Sequence, residues 1–298
     1  MTRRGFLLFA AMGLIWGLPY LLIKVAVRAV EPSVLVLART AIGAALLLPV
    51  AIRRRELGPV LRRWKPLVIY TAIEIAGPWL LLSTAEKRVS SSLAGLLVSA
   101  VPLVGAVLSL ALRDGQEVNA RMGAGLVLGV AGVAALVGLD VHGTDMGAVA
   151  MIGVVVVCYA VGPVILVRTL ADLPSLGVVA VSLALCAVVY APIGALQWPS
   201  HTPPARPVLA LVVLGVVCTA TAFVLFFHLI AEAGPLRATV ITYVNPAVAV
   251  TLGVVFLHEK FKASTALGFG LILAGSFLAT GRRRAPEAGP MVAAIPEP

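Results

Sequence analysis

Apolar residues run for about 20 positions at a time, the length that spans a bilayer as a helix, and polarity is confined to short gaps. Ten such stretches are read: roughly 6–28, 33–52, 66–84, 90–112, 122–138, 146–167, 175–196, 208–231, 236–257 and 264–281. The gaps carry charge, proline or glycine. Arg282-Arg283-Arg284 stops the last stretch, and the Pro/Ala-rich tail over 282–298 is expected to be disordered and cytoplasmic.

The pattern also repeats. Pro19 and Pro163 lie 144 residues apart, as do Pro102 and Pro246, while Pro49 and Pro192 lie 143 apart. Gly125, Gly132 and Gly138 recur at the shift of 143 as Gly268, Gly275 and Gly281. This divides the chain into repeats over 1–143 and 144–281, five spans each. Five is odd, so the second repeat must enter the membrane the other way up. The expectation is an all-α integral membrane protein of ten transmembrane helices in two inverted five-helix repeats. Two segments at matching places, LLVSAVPLVGAVLSLAL with Pro102 and YVNPAVAVTLGVVFLHE with Pro246, combine lipid-compatible composition with a mid-span proline. Such paired broken segments point to a transporter's central site. Pro19, Pro102, Pro163 and Pro246 are therefore taken as helix breaks.

Composition agrees. Of 298 residues, 60% are hydrophobic and 12% charged, and the mean hydropathy is +1.05. The net charge of +10 would suggest nucleic acid in a soluble protein. Here the basic residues punctuate apolar runs, which is a topology signal. With both termini inside, fifteen Lys/Arg face the cytoplasm, from Arg3 through the 53–65 loop to Arg284, against six outside. Cys158, Cys186 and Cys218 lie in apolar runs without paired spacing and read as packing residues. Membrane lipids are the expected surroundings and nucleic acid is not an expected partner.

Few side chains could carry chemistry. Glu74 falls eight residues into a span, roughly 12 Å deep at 1.5 Å per residue. A carboxylate there is by default functional: it could bind a substrate ammonium or exchange a coupling proton. The structural alternative is pairing with Lys24 or Arg39, the two basic residues inside spans. Trp16, Tyr20, Trp79, Tyr159 and Tyr243 sit away from span ends and are candidates to line a cavity. Thr242 and Asn245 flank Pro246, where Asn245 could contact substrate or satisfy freed backbone groups. His228 is expected to be structural. Gly125 and Gly129 form a GxxxG suited to close packing within the chain and also to a homodimer. His258-Glu259 begins an HExxH, but Lys262 stands in the place of the second histidine. No nucleophile elbow, phosphate loop or metal cluster is legible, so no cofactor, metal or enzymatic role is expected.

At this point a family comes into view. GLIWGLPYLLIKVAV, EPSVLVLAR with its Pro-x6-Arg, SSSLAGLLVSAVPLVGAVLSL and AGPLRATVITYVNPAVAVTLGVVFLHEKFKASTALGFGLILAG resemble the EamA repeat of the drug/metabolite transporter superfamily. The resemblance implies two inverted five-helix repeats around a central cavity, and export of metabolites or drugs across a bacterial inner membrane. Glu117 is the residue that best matches Glu259 in the first repeat, whose loop is one residue longer. The expected function is a secondary transporter exporting small amino-acid-like metabolites or drugs by alternating access, with protons as a coupling partner. The midplane cavity is expected between spans one, three, four, six, eight and nine. A facilitative carrier without ion coupling is the alternative, followed by a membrane-embedded enzyme.

Overall fold

The computed structural model describes residues 2–112, 120–138, 145–233, 241–260 and 262–279, and among these there are helices and no strands. Hydrocarbon offers no partner to a backbone N–H or C=O, so a chain this apolar closes its hydrogen bonds within helices. Seven helices are long and apolar enough to cross a bilayer: α1 Arg3–Ala26, α2 Pro32–Arg53, α3 Trp64–Glu86, α4 Ser91–Ala111, α6 Met146–Thr169, α7 Ser175–Leu196 and α8 Ala205–Ala233. Three shorter apolar helices accompany them: α5 Ala120–Gly138, α9 Ile241–Leu257 and α10 Ala263–Ala279. A short helix, Leu57–Arg62, occupies the basic 53–65 stretch. Glu117, Gly281, Arg282–Arg284 and the tail lie outside the described residues.

Polar contacts identify which helix ends share a face. At one end Thr2, the N-cap of α1, donates to Glu232 near the end of α8, and Arg63 pairs with Asp172 at 2.9 Å. At the other end Lys87 pairs with Glu31 at 2.9 Å and Arg88 with Asp145 at 3.3 Å. Asp145 also accepts from the Ala148 N–H at 3.0 Å as the N-cap of α6. That backbone bond, with the Arg88 guanidinium beside it, holds the Asp145 carboxyl below the usual carboxylate range. The helix that opens the first half thus starts at one face, and the helix that opens the second half starts at the opposite one.

Packing is exchanged between the halves. α1 lies against α8 and α9, whereas α6 lies against α3 and α4; α2 packs on α7 and α5 on α10. The α5–α10 contact is backbone on backbone. A Cβ on Gly125 would stand 2.7 Å from the Gly275 carbonyl oxygen, and one on Gly132 would stand 2.8 Å from that of Gly268. The GxxxG of α5 is therefore filled within the chain.

The twin prolines behave differently. α4 breaks at Ser99-Ala100, so that Pro102 sits in the first turn of a new helical segment, Val101–Ala111, where its missing N–H costs nothing. α9 runs unbroken from Ile241 to Leu257 with Pro246 buried inside it. Pro19 and Pro163 likewise lie inside continuous helices α1 and α6. Of the four expected breaks, only that at Pro102 interrupts a helix. Next to Pro246, turned with its nitrogen toward the carbonyls, the Asn245 amide donates to Ile241 O at 3.0 Å and to Gly13 O of α1 at 3.2 Å, tying α9 to α1.

Candidate functional site

The departures from regular helix lie elsewhere, as two π-turns. α3 widens over Ala72–Ala76 and α8 over Val216–Thr221, starting 144 residues apart, the spacing of the prolines. In α3, Pro78 cannot donate to the carbonyl four residues back, that of Glu74, and the extra residue per turn absorbs the misfit. Gly77 permits it, since a Cβ there would lie 3.0 Å from the Ala72 carbonyl oxygen. Tyr190 of α7 donates its hydroxyl to the Ala76 carbonyl at 2.9 Å. In α8 no proline is involved. The Thr219 hydroxyl donates to Leu214 O, five residues back, at 2.8 Å and so stands in for a backbone donor.

Glu74 projects from the α3 π-turn toward α6. Gly162 makes the room: a Cβ there would fall on the Glu74 carboxylate. Glu74 is half-buried, and its Oε2 is shut away without a hydrogen-bond partner. Among the described residues it forms no ion pair with Arg39, Lys24 or any other group. The structural pairing weighed from sequence is absent.

Arg39 of α2 is buried, at 6% exposed, against the other π-turn. Its Nε donates to Thr219 Oγ1 of the α8 π-turn at 2.8 Å, and its guanidinium carbon stands 3.6 Å from the centroid of the Trp79 ring of α3. This stacking holds the planar cation on an aromatic face. Among the described residues Arg39 forms no ion pair with a carboxylate. Tyr159 of α6 is within electrostatic reach of both Arg39 and Glu74, and Tyr20 of α1 within reach of Arg39. One π-turn thus carries a carboxylate and the other is bonded to an arginine, neither ion-paired among the described residues, with Tyr159 in reach of both.

Other predicted residues fall outside it. Trp16 packs against Phe226 and Phe223 of α8, with ring centroids 4.6 and 6.2 Å apart, in a separate apolar cluster with Met12 and Leu229. Thr242 and Tyr243 are half-buried in the first turn of α9. His228 donates from its ring to Val224 O at 2.8 Å, a contact within its own helix. Lys24 does not face Glu74; it serves the far end of the bundle, donating to Glu86 O and Val89 O at 2.5 and 2.7 Å. Two cavities are one of ≈ 350 Å³ beside Val27, Glu31, Lys87 and Gln197, and one of ≈ 80 Å³ beside Ser92, Leu136 and Lys260. Neither is lined by Glu74 or Arg39. Thr219, Tyr190 and Glu86 were missed from sequence. Among the described residues no group of three or more His, Cys, Asp or Glu could hold a metal.

Comparison with known proteins places this geometry in context. The model of the EamA-like transporter family matches the chain twice, over residues 3–138 and 146–281. An uncharacterized transporter of Bacillus subtilis, YvbV, is 26% identical over 294 residues, covering 96% of this chain and 94% of its own. An uncharacterized inner membrane transporter of Escherichia coli K12, YedA, is 26% identical over 287 residues, covering 96% and 93%. A solved crystal structure superposes with a TM-score of 0.66 at 25% identity, over 93% of this chain and 96% of the other.

Proposed function

The chain belongs to the EamA-like transporter family, and from that premise we propose a secondary transporter that exports small zwitterionic, amino-acid-like metabolites by alternating access. The observation that carries this reading is the pair of opposite, unpaired charges: Arg39 stacked on Trp79 and bonded to Thr219, and Glu74 with an orphan Oε2. A carboxylate accepts two parallel bonds from a guanidinium, and an ammonium donates to a carboxylate. A zwitterion entering between them would satisfy both ends at once. Neutral or singly charged amphipathic drugs would leave one charge bare, which disfavours them.

Alternating access needs two bodies that rock about the site. The double family match, the start of α1 and α6 at opposite faces and the exchanged packing support two inverted repeats as those bodies. The excess of basic residues on one side supports cytoplasmic termini. The description of YedA supports a bacterial inner membrane.

The test is accumulation of a pool of radiolabelled L-amino acids in inside-out membrane vesicles, with and without an imposed pH gradient, against vesicles lacking the protein. Gradient-dependent accumulation is expected, and it identifies both coupling and substrate. Equilibration without any gradient effect would make the protein a facilitative carrier of the same substrates. No movement of any amino acid would overturn the zwitterion reading.

A further inference from the structure

The end of the bundle where α1, α3 and α9 finish is held by two clamps. Lys24 of α1 reaches the carbonyl of Glu86, the last residue of α3, at 2.5 Å and that of Val89, in the turn beyond it, at 2.7 Å. A cation at a helix C-terminus is favoured by the carbonyls it satisfies and by the dipole. Glu259, just beyond α9, covers the N-terminus of α4: it accepts from the N–H and hydroxyl of Ser91 at 2.8 and 2.9 Å, and from those of Ser92 at 3.0 and 2.5 Å. Gly253 leaves the room for this, since a Cβ there would stand 2.5 Å from both Glu259 Oε2 and Ser92 Oγ.

Between the clamps lies the side chain of Glu86. It is 0% exposed, and neither carboxylate oxygen has a hydrogen-bond partner. The groups that could neutralise it are engaged. Lys24 is spent on backbone carbonyls and forms no ion pair with Glu86; the Ser91 and Ser92 hydroxyls are given to Glu259. The other charged or titratable groups facing it are Glu259 itself, beyond α9, and Tyr20 of α1, with Arg28 further along beside Lys24. None is positioned to donate to it. A bare carboxylate cannot keep its charge in such a place.

We propose that Glu86 is a proton-binding site that must be filled before this end of the bundle can close. Closing takes one proton per chain from the water that bathes the open mouth, and the proton resides on a Glu86 carboxyl oxygen. Opening parts the ends of α3 and α4 from α1 and α9, returns the proton to the same water, and frees Lys24 to pair with the carboxylate. The mouth is thereby sensitive to the pH on its own side. The role as a gate rests on the transporter reading above; the buried protonated carboxyl does not.

The experiment is infrared spectroscopy of the full chain in liposomes at about pH 8, where exposed carboxylates are ionised. Because Glu74 also has a buried oxygen without a partner, the comparison is made in its absence: a protonated-carboxyl C=O band is expected in Glu74→Gln and lost in Glu74→Gln/Glu86→Gln. A Glu74→Gln protein without the band, or a band that survives the added Glu86→Gln, overturns the proposal. Should Glu86→Gln not fold, the spectrum of Glu74→Gln decides: a band there supports the site, and none refutes it. Exchange of the labelled amino-acid pool across the same liposomes, with pH varied at the mouth side, then tests the gate. Wild-type exchange should slow as that pH rises, and Glu86→Gln, the isostere of the neutral acid, should flatten the profile. An unchanged profile overturns the gate. Absence of wild-type exchange counts against the transport reading alone, with the infrared result still judging the carboxyl.

Discussion

The π-turns of α3 and α8 begin 144 residues apart and widen the backbone alike, yet they present different chemistry. The α3 turn carries Glu74 and leans on Pro78, Gly77 and a hydroxyl from Tyr190. The α8 turn has Cys218 at the matching position and is built by Thr219, whose oxygen then receives Arg39. Duplication preserved the irregularity while the side chains on it diverged. One lesson follows: the two π-turns share a backbone irregularity and do not share its charge. A site that binds a molecule with distinct ends needs that asymmetry.

Substitutions can break or sharpen the contrast. The largest effect is expected from Arg39→Lys, which keeps the charge but loses the planar stack on Trp79 and the two-pronged donor. Amino-acid exchange in liposomes should fall on the order of a hundredfold, and an unchanged rate would remove Arg39 from the site. Next comes Glu74→Gln, expected to lower exchange by about tenfold, the worth of a hydrogen bond to a charged group. The matching change in the other turn, Cys218→Ala, should leave exchange near wild type; equal losses from both would show that the turns serve the backbone only. Gly162→Ala puts a methyl on the Glu74 carboxylate and should destabilise by about 1–3 kcal/mol, with Glu74→Ala relieving the loss in a double-mutant cycle of melting temperatures. Additivity in that cycle would mean the two do not touch.

The smallest effect lies far from the turns, at Asp145. Its carboxyl titrates below its ordinary value in the folded chain, so the stabilisation it adds is present above the unfolded value of about 3.9 and is lost as pH falls through the folded one. Asp145→Asn keeps the helix cap but removes the charge beside Arg88. Its melting temperature should sit slightly below wild type at pH 7 and converge with it in acid. A difference that persists in acid would point to the cap and not to the charge.

Much of this was legible in the sequence, within limits set by geometry. Apolar runs and charged gaps located apolar helices, and the 143–144 residue spacing of prolines and glycines fits the double match to the family model, because both depend only on position along the chain. Which proline interrupts its helix was not legible. Pro102 is relieved by a new helix start and Pro246 sits within a helix beside Asn245, and that choice depends on neighbours from other helices. Glu74 stood out because a carboxylate amid Ile73 and Ile75 is costly within a span. Glu86 did not, since it lies two residues past the expected end of its span, where a charged residue looks like surface. Where Lys24 reaches was not legible for a related reason: depth can be counted from residue number, but rotation about the helix axis cannot. Arg39, weighed with Lys24 as an alternative partner for Glu74, stacks on an aromatic ring.

The glycine seam between α5 and α10 has a bearing on how the chain is made. Gly125 leaves the ribosome 150 residues before Gly275, and Gly132 leaves it 136 residues before Gly268, the residues they meet. At about 5–20 residues per second that is a wait on the order of 7–30 seconds. Throughout it the groove of α5 lies open to lipid or to the insertion machinery. The tightest contact in the finished protein is thus among the last that synthesis can complete.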